Sequence, residues 1–211
     1  MKLSLAEGIY LIALDDEEGR LLAAAEKTIV PGVVSACILE LSLLKKVAFE
    51  DLKIHLLDNQ GTGNKILDDV LSRLKEGELV IDAVKRLNPV FKDVQVDLNE
   101  LLVHRGILKK EATKLLWIPL SERMDNANYA FESEIRKALK SIVLKGSRPT
   151  PPFVVLTSLI YDCNLMEEVF HDKDELIDAI KVGKDIVRAG IIDPEKEHVL
   201  QELKDYFETI K

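Results

Sequence analysis

The chain has 211 residues, of which 47% are hydrophobic and 31% are charged, a composition typical of soluble globular proteins rather than disordered ones. Aromatic residues make up only 5%, which disfavours a surface that stacks nucleic-acid bases, and the longest apolar stretches fall short of the ~20 residues that span a bilayer. The formal net charge is −8, but residues 162–211 hold 14 acidic and 7 basic residues, so the rest of the chain is close to neutral.

The beginning of the chain and its cysteines bear on the cellular compartment. Residues 1–5 lead directly to the acidic Glu7, without the apolar core and cleavage site of a signal peptide. Cys37 and Cys163 lie far apart in apolar surroundings, which favours two buried free thiols and gives a metal site no support. The sequence therefore predicts a cytoplasmic protein that is at most peripheral to a membrane.

The spacing of apolar residues predicts a mainly α fold in which amphipathic helices surround a buried hydrophobic central helix, with two short β-hairpins. Pro31 fits the first turn of the central helix, which runs to about Leu44 and is apolar nearly all round. A first hairpin is predicted at 47–57. Other helices are predicted at 3–14, 64–74, 79–87, 90–105, 126–144, 153–163, 174–189 and 195–210. No break in composition demands a second domain, so residues 1–211 are predicted to form a single one.

A second hairpin is predicted after the helix that ends near Gly106. Ile107 and Leu108 begin its first strand, residues 109–112 form its turn, and the apolar run 115–120 forms its second strand. This apolar arm needs a partner, which is its own domain, another subunit or a lipid surface. The candidate contact residues for a membrane or an oligomer are Leu115, Leu116, Trp117 and Ile118.

Motifs for catalysis or metal binding are weak. Residues 61–65 resemble a phosphate cradle but lack the spacing of a P-loop, so a plain turn with Thr62 as the helix cap is favoured. Asp172 and Asp174 beside His171 fit the opening of a helix better than a metal cluster. The sequence thus predicts no enzyme, no metal site and no cofactor.

Basic residues are concentrated in two stretches. Segment 85–114 has seven bases against four acids, and a later stretch carries five bases with no acid between them: Arg136, Lys137, Lys140, Lys145 and Arg148. They form a locally basic face, or else they are scattered solvated charges. A winged helix that reads DNA with residues 90–105 is a further alternative. Asp93, Asp97 and Glu100 disfavour it, because that surface would have to neutralise phosphates.

Five phrases in the right order resemble the Golgi phosphoprotein 3 family of peripheral, phosphoinositide-binding membrane proteins. The similar phrases are residues 11–19, 38–43, 62–71, 102–108 and 159–161. The chain resembles a prokaryotic-like member without the long polar N-terminal extension of the eukaryotic proteins. The resemblance implies one α-helical domain with a hydrophobic central helix and a projecting hairpin, which the family uses for self-association and membrane contact.

The resemblance also implies a phosphatidylinositol 4-phosphate site made by a tryptophan and three arginines. Ungapped matches place these four at Ala25, Val34, Lys92 and Gln95, so only Lys92 keeps a cation. One ammonium cannot replace bidentate guanidinium contacts. Lys92 is therefore the candidate headgroup residue, and weak, salt-sensitive binding to anionic membranes is expected, with little preference for this lipid.

The sequence as a whole favours a non-enzymatic peripheral membrane protein. It would bind anionic headgroups and use the apolar hairpin for membrane contact or self-association. One alternative is a soluble homo-oligomeric adaptor without lipid binding, in which the hairpin contacts another subunit. The winged-helix nucleic-acid binder is the least favoured of the three hypotheses.

Overall fold

The computed structural model describes residues 3–15, 20–115, 118–127 and 129–211, and for 111–126 it describes the backbone alone. The first part of the chain forms α1 (Leu5–Ile12), α2 (Ile29–Leu43), β1 (Val47–Glu50), β2 (Lys53–Leu56), α3 (Lys65–Leu71), α4 (Val80–Leu87) and α5 (Val94–His104). The second part forms β3 (Leu108–Leu115), β4 (Ile118–Asn126), α6 (Ala130–Lys145), α7 (Pro151–Asp162), α8 (Met166–Val169), α9 (Lys173–Asp185) and α10 (Pro194–Ile210). Short 3-10 helices lie at Ala23–Ala25 and Ile186–Ala189. The predicted fold class, mainly α with hairpins, is confirmed.

Helix α2 is the centre of the core. It contacts α1, α3, α4, α7 and β1, so every side of the helix meets apolar neighbours. Its side chains from Val33 to Leu39 are all buried, and Leu41 is fully buried as well. The prediction of a buried central helix is therefore confirmed, except that Leu44 follows the helix as its C-cap and is 49% exposed.

A close approach between α2 and α7 depends on a glycine. A Cβ atom on Gly32 would lie 2.6 Å from the Cys163 Sγ, which is far inside van der Waals contact. Cys37 and Cys163 are both buried free thiols, as predicted. Burial raises the pKa of both thiols, so they act as small apolar side chains that fill the core rather than as nucleophiles.

The first hairpin lies on the core. Strand β1 pairs antiparallel with β2, from Val47 opposite Leu56 to Glu50 opposite Lys53. Val47, Phe49 and Ile54 are buried, and the Ile54 amide and carbonyl also bond the backbone of residues 77–78. Buried residues on both strands therefore fix this hairpin to the body of the protein. The predicted hairpin at 47–57 is confirmed.

The second hairpin is longer and is anchored at its base. Strand β3 pairs with β4 from Leu108 opposite Asn126 to Leu115 opposite Ile118, with a bulge between Thr113 and Lys114. Ile107 and Leu108 are buried at the base, and α5 is the element that β3 contacts most after β4. The predicted turn at 109–112 is wrong, because these residues belong to β3. Backbone pairing along the hairpin lets a polar segment form a strand without an apolar face.

Two further helix predictions are corrected. Helix α6 begins at Ala130 rather than near 126, because residues 118–126 are taken up by β4. Helix α8 is a single turn at Met166–Val169 that was not predicted, because one turn is too short to show a helical period.

Candidate functional site

The four candidate contact residues of the β3–β4 hairpin are only partly described. Leu115 and Ile118 end their strands and pair directly opposite each other. Leu116 and Trp117 lie outside the described residues, between those two positions in sequence. The register thus puts Leu115 and Ile118 at the far end of the hairpin from its buried base. Contact with a membrane or with another subunit stays a prediction.

Helix α6 starts at the base of this hairpin. The Ala127 amide donates to the Ile107 carbonyl oxygen at 2.9 Å, and Tyr129, 56% exposed, is the N-cap of α6. One side of the helix is buried through Ile135, Leu139 and Ile142. Hence α6 is amphipathic. The side of α6 that faces away from these buried residues begins next to the base of the β3–β4 hairpin.

A groove runs along that opposite side, and we call it the α6 groove. It is a cavity of about 240 Å³ lined by Tyr129, Glu132, Ser133, Arg136, Lys137 and Lys140. These residues recur at three- and four-residue intervals, which places neighbouring Cβ atoms roughly 5–6 Å apart on one helix face. Three of the five bases that the sequence singled out between 136 and 148 therefore face a single cavity.

Each cation of the α6 groove has a different environment. The Arg136 Nε and Nη2 both lie 2.6 Å from the Oε1 of Glu132, whose side chain is only 5% exposed. The Lys140 Nζ is 3.2 Å from the Oε2 of Glu175 on α9. Lys137 is exposed and has no ion-pair partner among the residues whose side chains are described. Arg136 is thus held in a fixed orientation, whereas Lys137 faces solvent.

The four positions matched to the family's lipid site have different environments in this fold. Ala25 and Val34 are fully buried, so neither side chain can contact a headgroup in this arrangement. Lys92 is exposed in the turn before α5, and its Nζ lies 3.9 Å from the Oδ2 of Asp93. Gln95 is half-buried one residue inside α5. Lys92 stays a prediction as a headgroup residue, without the support of the other three positions.

The loop at 61–65 binds a carboxylate of its own chain. The Thr62 amide and hydroxyl donate to the Asp68 Oδ1 at 2.6 and 2.7 Å, and the Gly63 amide donates to its Oδ2 at 3.2 Å. Slight burial acts to raise the pKa of Asp68, but these hydrogen bonds hold it below the usual value. The helix cap is Asn64 rather than the predicted Thr62, since the Asn64 Oδ1 accepts from the Ile66 and Leu67 amides. The plain turn is confirmed, and Asp68 occupies the place where an anion would bind.

Two carboxyl groups with raised pKa values lie away from the α6 groove. Burial raises the pKa of Glu40 to about 7, although the Leu5 amide donates to its Oε2 at 2.7 Å. Burial likewise raises the pKa of Asp162 to about 7, and the positive charges of Lys211 and Lys204 only partly offset it. Within the described residues, neither oxygen of Asp162 has a hydrogen-bond partner of good geometry. Asp162 is fully buried and Glu40 is half-buried, so the protonation of both carboxyl groups affects the stability of the fold.

Across the described ranges, no three His, Cys, Asp or Glu side chains meet in a group that could hold a metal ion. His55 instead pairs with Glu76, its Nδ1 lying 2.7 Å from the Oε1. In the same part of the chain, no helix is both long and apolar enough to cross a membrane.

Sequence reasoning found the basic stretch but missed the groove. The pattern Tyr129, Ser133, Arg136, Lys137 and Lys140 has helical spacing that would have indicated one common face. That spacing alone does not show that the face is open, because its exposure depends on how α6 packs against its neighbours.

Comparison with known protein families gives one match, which covers nearly the whole chain. A family model described as Golgi phosphoprotein 3 (GPP34) matches residues 5–204, from the start of α1 into α10, and thus includes both hairpins. No curated protein sequence matches the chain.

Proposed function

The chain belongs to the Golgi phosphoprotein 3 family, and we propose that it acts as a peripheral membrane protein that binds anionic phospholipids. The basic side of α6 would meet the headgroups, and the end of the β3–β4 hairpin would enter the apolar layer. The proposal is carried by one observation, which is that α6 and its groove begin at the base of that hairpin.

The dimensions of the hairpin suit this arrangement. Strand β3 has eight residues, which at ~3.4 Å per residue gives a length of about 27 Å. One leaflet has about 15 Å of hydrocarbon and roughly 6 Å of headgroup region. A strongly tilted hairpin would therefore bring its apolar end, with Leu115 and Ile118, to the boundary between headgroups and hydrocarbon, while the charged middle of both strands stays among the headgroups.

The charges on α6 suit it as well. Lys137, Lys145 and Arg148 are exposed near or along this helix. Each exposed base near an anionic surface contributes about 1 kcal/mol, and dissolved ions screen that contribution. Three such residues support reversible binding that weakens as salt rises, which is the behaviour of a peripheral protein.

Vesicle flotation tests the proposal. We expect the protein to float with phosphatidylcholine vesicles that contain phosphatidylglycerol, and not with phosphatidylcholine alone. The double variant Leu116→Ser/Trp117→Ser should lose most of this binding. Leu57→Ser is a matched control, because Leu57 is a 59% exposed leucine next to the first hairpin. It should bind as the wild type does.

Other outcomes would overturn the proposal. No flotation at low salt would exclude binding to anionic phospholipids. If the double variant kept its vesicle binding but lost self-association in light scattering, the oligomeric adaptor would be the better account of the hairpin.

A further inference from the structure

We infer that Glu7, Glu40 and Arg105 form a pH-sensitive clamp, which holds the start of α1 on the central helix α2 and on the base of the β3–β4 hairpin. The clamp is closed when Glu40 is protonated and loosens when Glu40 is ionised. It is a regulatory device built into the fold, and it does not depend on lipid binding.

Two carboxyl groups hold the start of α1. The Ser4 amide donates to the Glu7 Oε2 at 2.7 Å, and the Leu5 amide donates to the Glu40 Oε2 at the same distance. The first amides of a helix have no partner inside the helix, so they depend on such acceptors. Glu7 belongs to α1 itself, whereas Glu40 lies on α2. The contact with Glu40 therefore fixes the start of α1 to the core.

Glu7 extends this contact to the second hairpin. Its Oε1 accepts from the Arg105 Nη1 at 2.5 Å, and its side chain is only 1% exposed. Arg105 is the C-cap of α5, and Ile107, two residues later, is buried at the base of the hairpin. Separating a buried carboxylate from its guanidinium is costly, so the pair couples the two segments. If the first turn of α1 detaches, Glu7 leaves Arg105 as well.

The charges around Glu40 make the clamp sensitive to pH. Burial raises the pKa of Glu40 to about 7 and the negative charge of Glu7 also raises it, whereas the Leu5 amide and the amino terminus lower it. Cys37, one turn earlier on α2, stays uncharged because burial raises the pKa of its thiol. Among the described residues, α3, α4, α7 and β1 also pack on α2, but they contribute no charged group that shifts the pKa of Glu40. Ionisation of Glu40 thus places a second negative charge near Glu7, whereas Arg105 carries a single positive charge.

The direction of the effect follows from these charges. With the start of α1 in place, the pKa of Glu40 is about 7, and on detachment the carboxyl group meets water and its pKa returns towards 4.5. The contact is therefore fully stabilising below about pH 4.5 and weakens as the pH rises to about 7. Above that pH the start of α1 opens more often, and each opening releases Arg105 and the base of the hairpin.

Hydrogen exchange measured by NMR tests the clamp. The Leu5 amide reports the contact with Glu40, and the Ile107 amide, which donates to the Leu102 carbonyl oxygen, reports the base of the hairpin. Glu40→Gln keeps the shape of the protonated acid and cannot ionise. The matched control is Asp162→Asn, because Asp162 is a buried carboxyl on α7 whose pKa is also raised to about 7.

We expect the opening at Leu5 in wild type, relative to Glu40→Gln, to rise about tenfold or more between about pH 5.5 and about pH 8. The reason is that the pKa of Glu40 is about 7 in the closed segment and near 4.5 in the open one. The Ile107 amide should change in the same direction, and Asp162→Asn should exchange as wild type does at both amides. In a carbon-13 NMR titration, Glu7→Gln should lower the pKa of Glu40, since it removes the neighbouring negative charge.

Three outcomes would overturn the proposal. The first is a ratio of opening at Leu5 that does not change with pH. The second is equal protection gained by Glu40→Gln and Asp162→Asn, which would show that these amides exchange only through global unfolding. The third is a response at Leu5 that Ile107 does not share, because the contact would then end at α1. If Glu7→Gln does not fold, the comparison of Glu40→Gln with Asp162→Asn decides by itself.

Discussion

The two hairpins of this protein both follow a helix, but they are held in different ways. In β1–β2, buried residues occur on both strands, and residues 77–78 bond its backbone from the side. In β3–β4, the buried residues Ile107 and Leu108 anchor the base. The last described pair at the far end is Leu115 opposite Ile118. The first hairpin is therefore part of the core, whereas the second is fixed to the core at its base, and the contact made by its far end stays a prediction.

The largest expected effect comes from placing a charge in the first hairpin. Ile54→Asp would bury a carboxylate at a fully enclosed position between the hairpin and the core. We expect a loss of about 4 kcal/mol or more in the free energy of unfolding, measured by urea denaturation, because a buried unpaired charge is costly. A variant that unfolds at the wild-type urea concentration would contradict the assignment of β1–β2 to the core.

A pH-dependent effect should come from Asp162, in the body that carries the first hairpin. Its pKa is raised from 3.8 to about 7, so the folded state binds the proton more tightly than the unfolded state. Stability from this group is therefore full below about pH 4 and is lost as the pH rises to about 7. Asp162→Asn should stabilise the protein at pH 8 by at most about 4 kcal/mol.

Thermal melts at several pH values test this effect. The matched control is Asp185→Asn, at an exposed acid on α9, which should leave the pH dependence unchanged. A melting temperature of Asp162→Asn that follows wild type at every pH would show that the buried carboxyl does not titrate in this range.

A much smaller effect on stability is expected at the end of the second hairpin. Leu116→Ser/Trp117→Ser should keep the helical content and change the free energy of unfolding by less than about 1 kcal/mol, the range of surface substitutions. Self-association, vesicle binding or both should fall, measured by light scattering with and without vesicles. Unfolding of this variant would mean that both hairpins belong to the core, and the comparison would then fail.

The smallest expected difference concerns lipid preference. Ala25 and Val34 are buried, so two of the four matched positions cannot contact an inositol ring, and only Lys92 provides a cation. We expect vesicles with phosphatidylinositol 4-phosphate to bind within about twofold of vesicles with phosphatidic acid, and both to bind less as salt rises. Strong, salt-resistant selectivity for the inositol lipid in sedimentation would place the headgroup site elsewhere.

The order of apolar and polar residues was enough to predict those elements whose side chains fit only one position in the fold. Helix α2 is apolar nearly all round, so only a central position suits it, and the alternation at Val47 to Leu56 fits a strand pair on a core. The turn at 109–112 was misplaced because Lys109, Lys110 and Glu111 have the composition of a loop. A strand that pairs mainly with its neighbouring strand needs no apolar face, so its sequence need not alternate between apolar and polar residues.

The candidate site could not be predicted in full, because its side chains interact with partners that are distant in sequence. Lys140 meets Glu175 on another helix. The acid that fills the loop at 61–65 is Asp68, inside the following helix. The spacing of Tyr129 to Lys140 was readable, but whether that face lay open or buried depended on how α6 packs against its neighbours.

Two carboxyl groups with raised pKa values also change how the charge of this protein should be counted. The formal value of −8 treats every acid as ionised, yet Glu40 and Asp162 each have a pKa of about 7 in the fold. At pH 7 the folded protein therefore holds about one proton more than its formula implies, and unfolding releases it. The isoelectric point of the folded protein should therefore be higher than that of the protein unfolded in urea. Isoelectric focusing with and without urea would measure this difference.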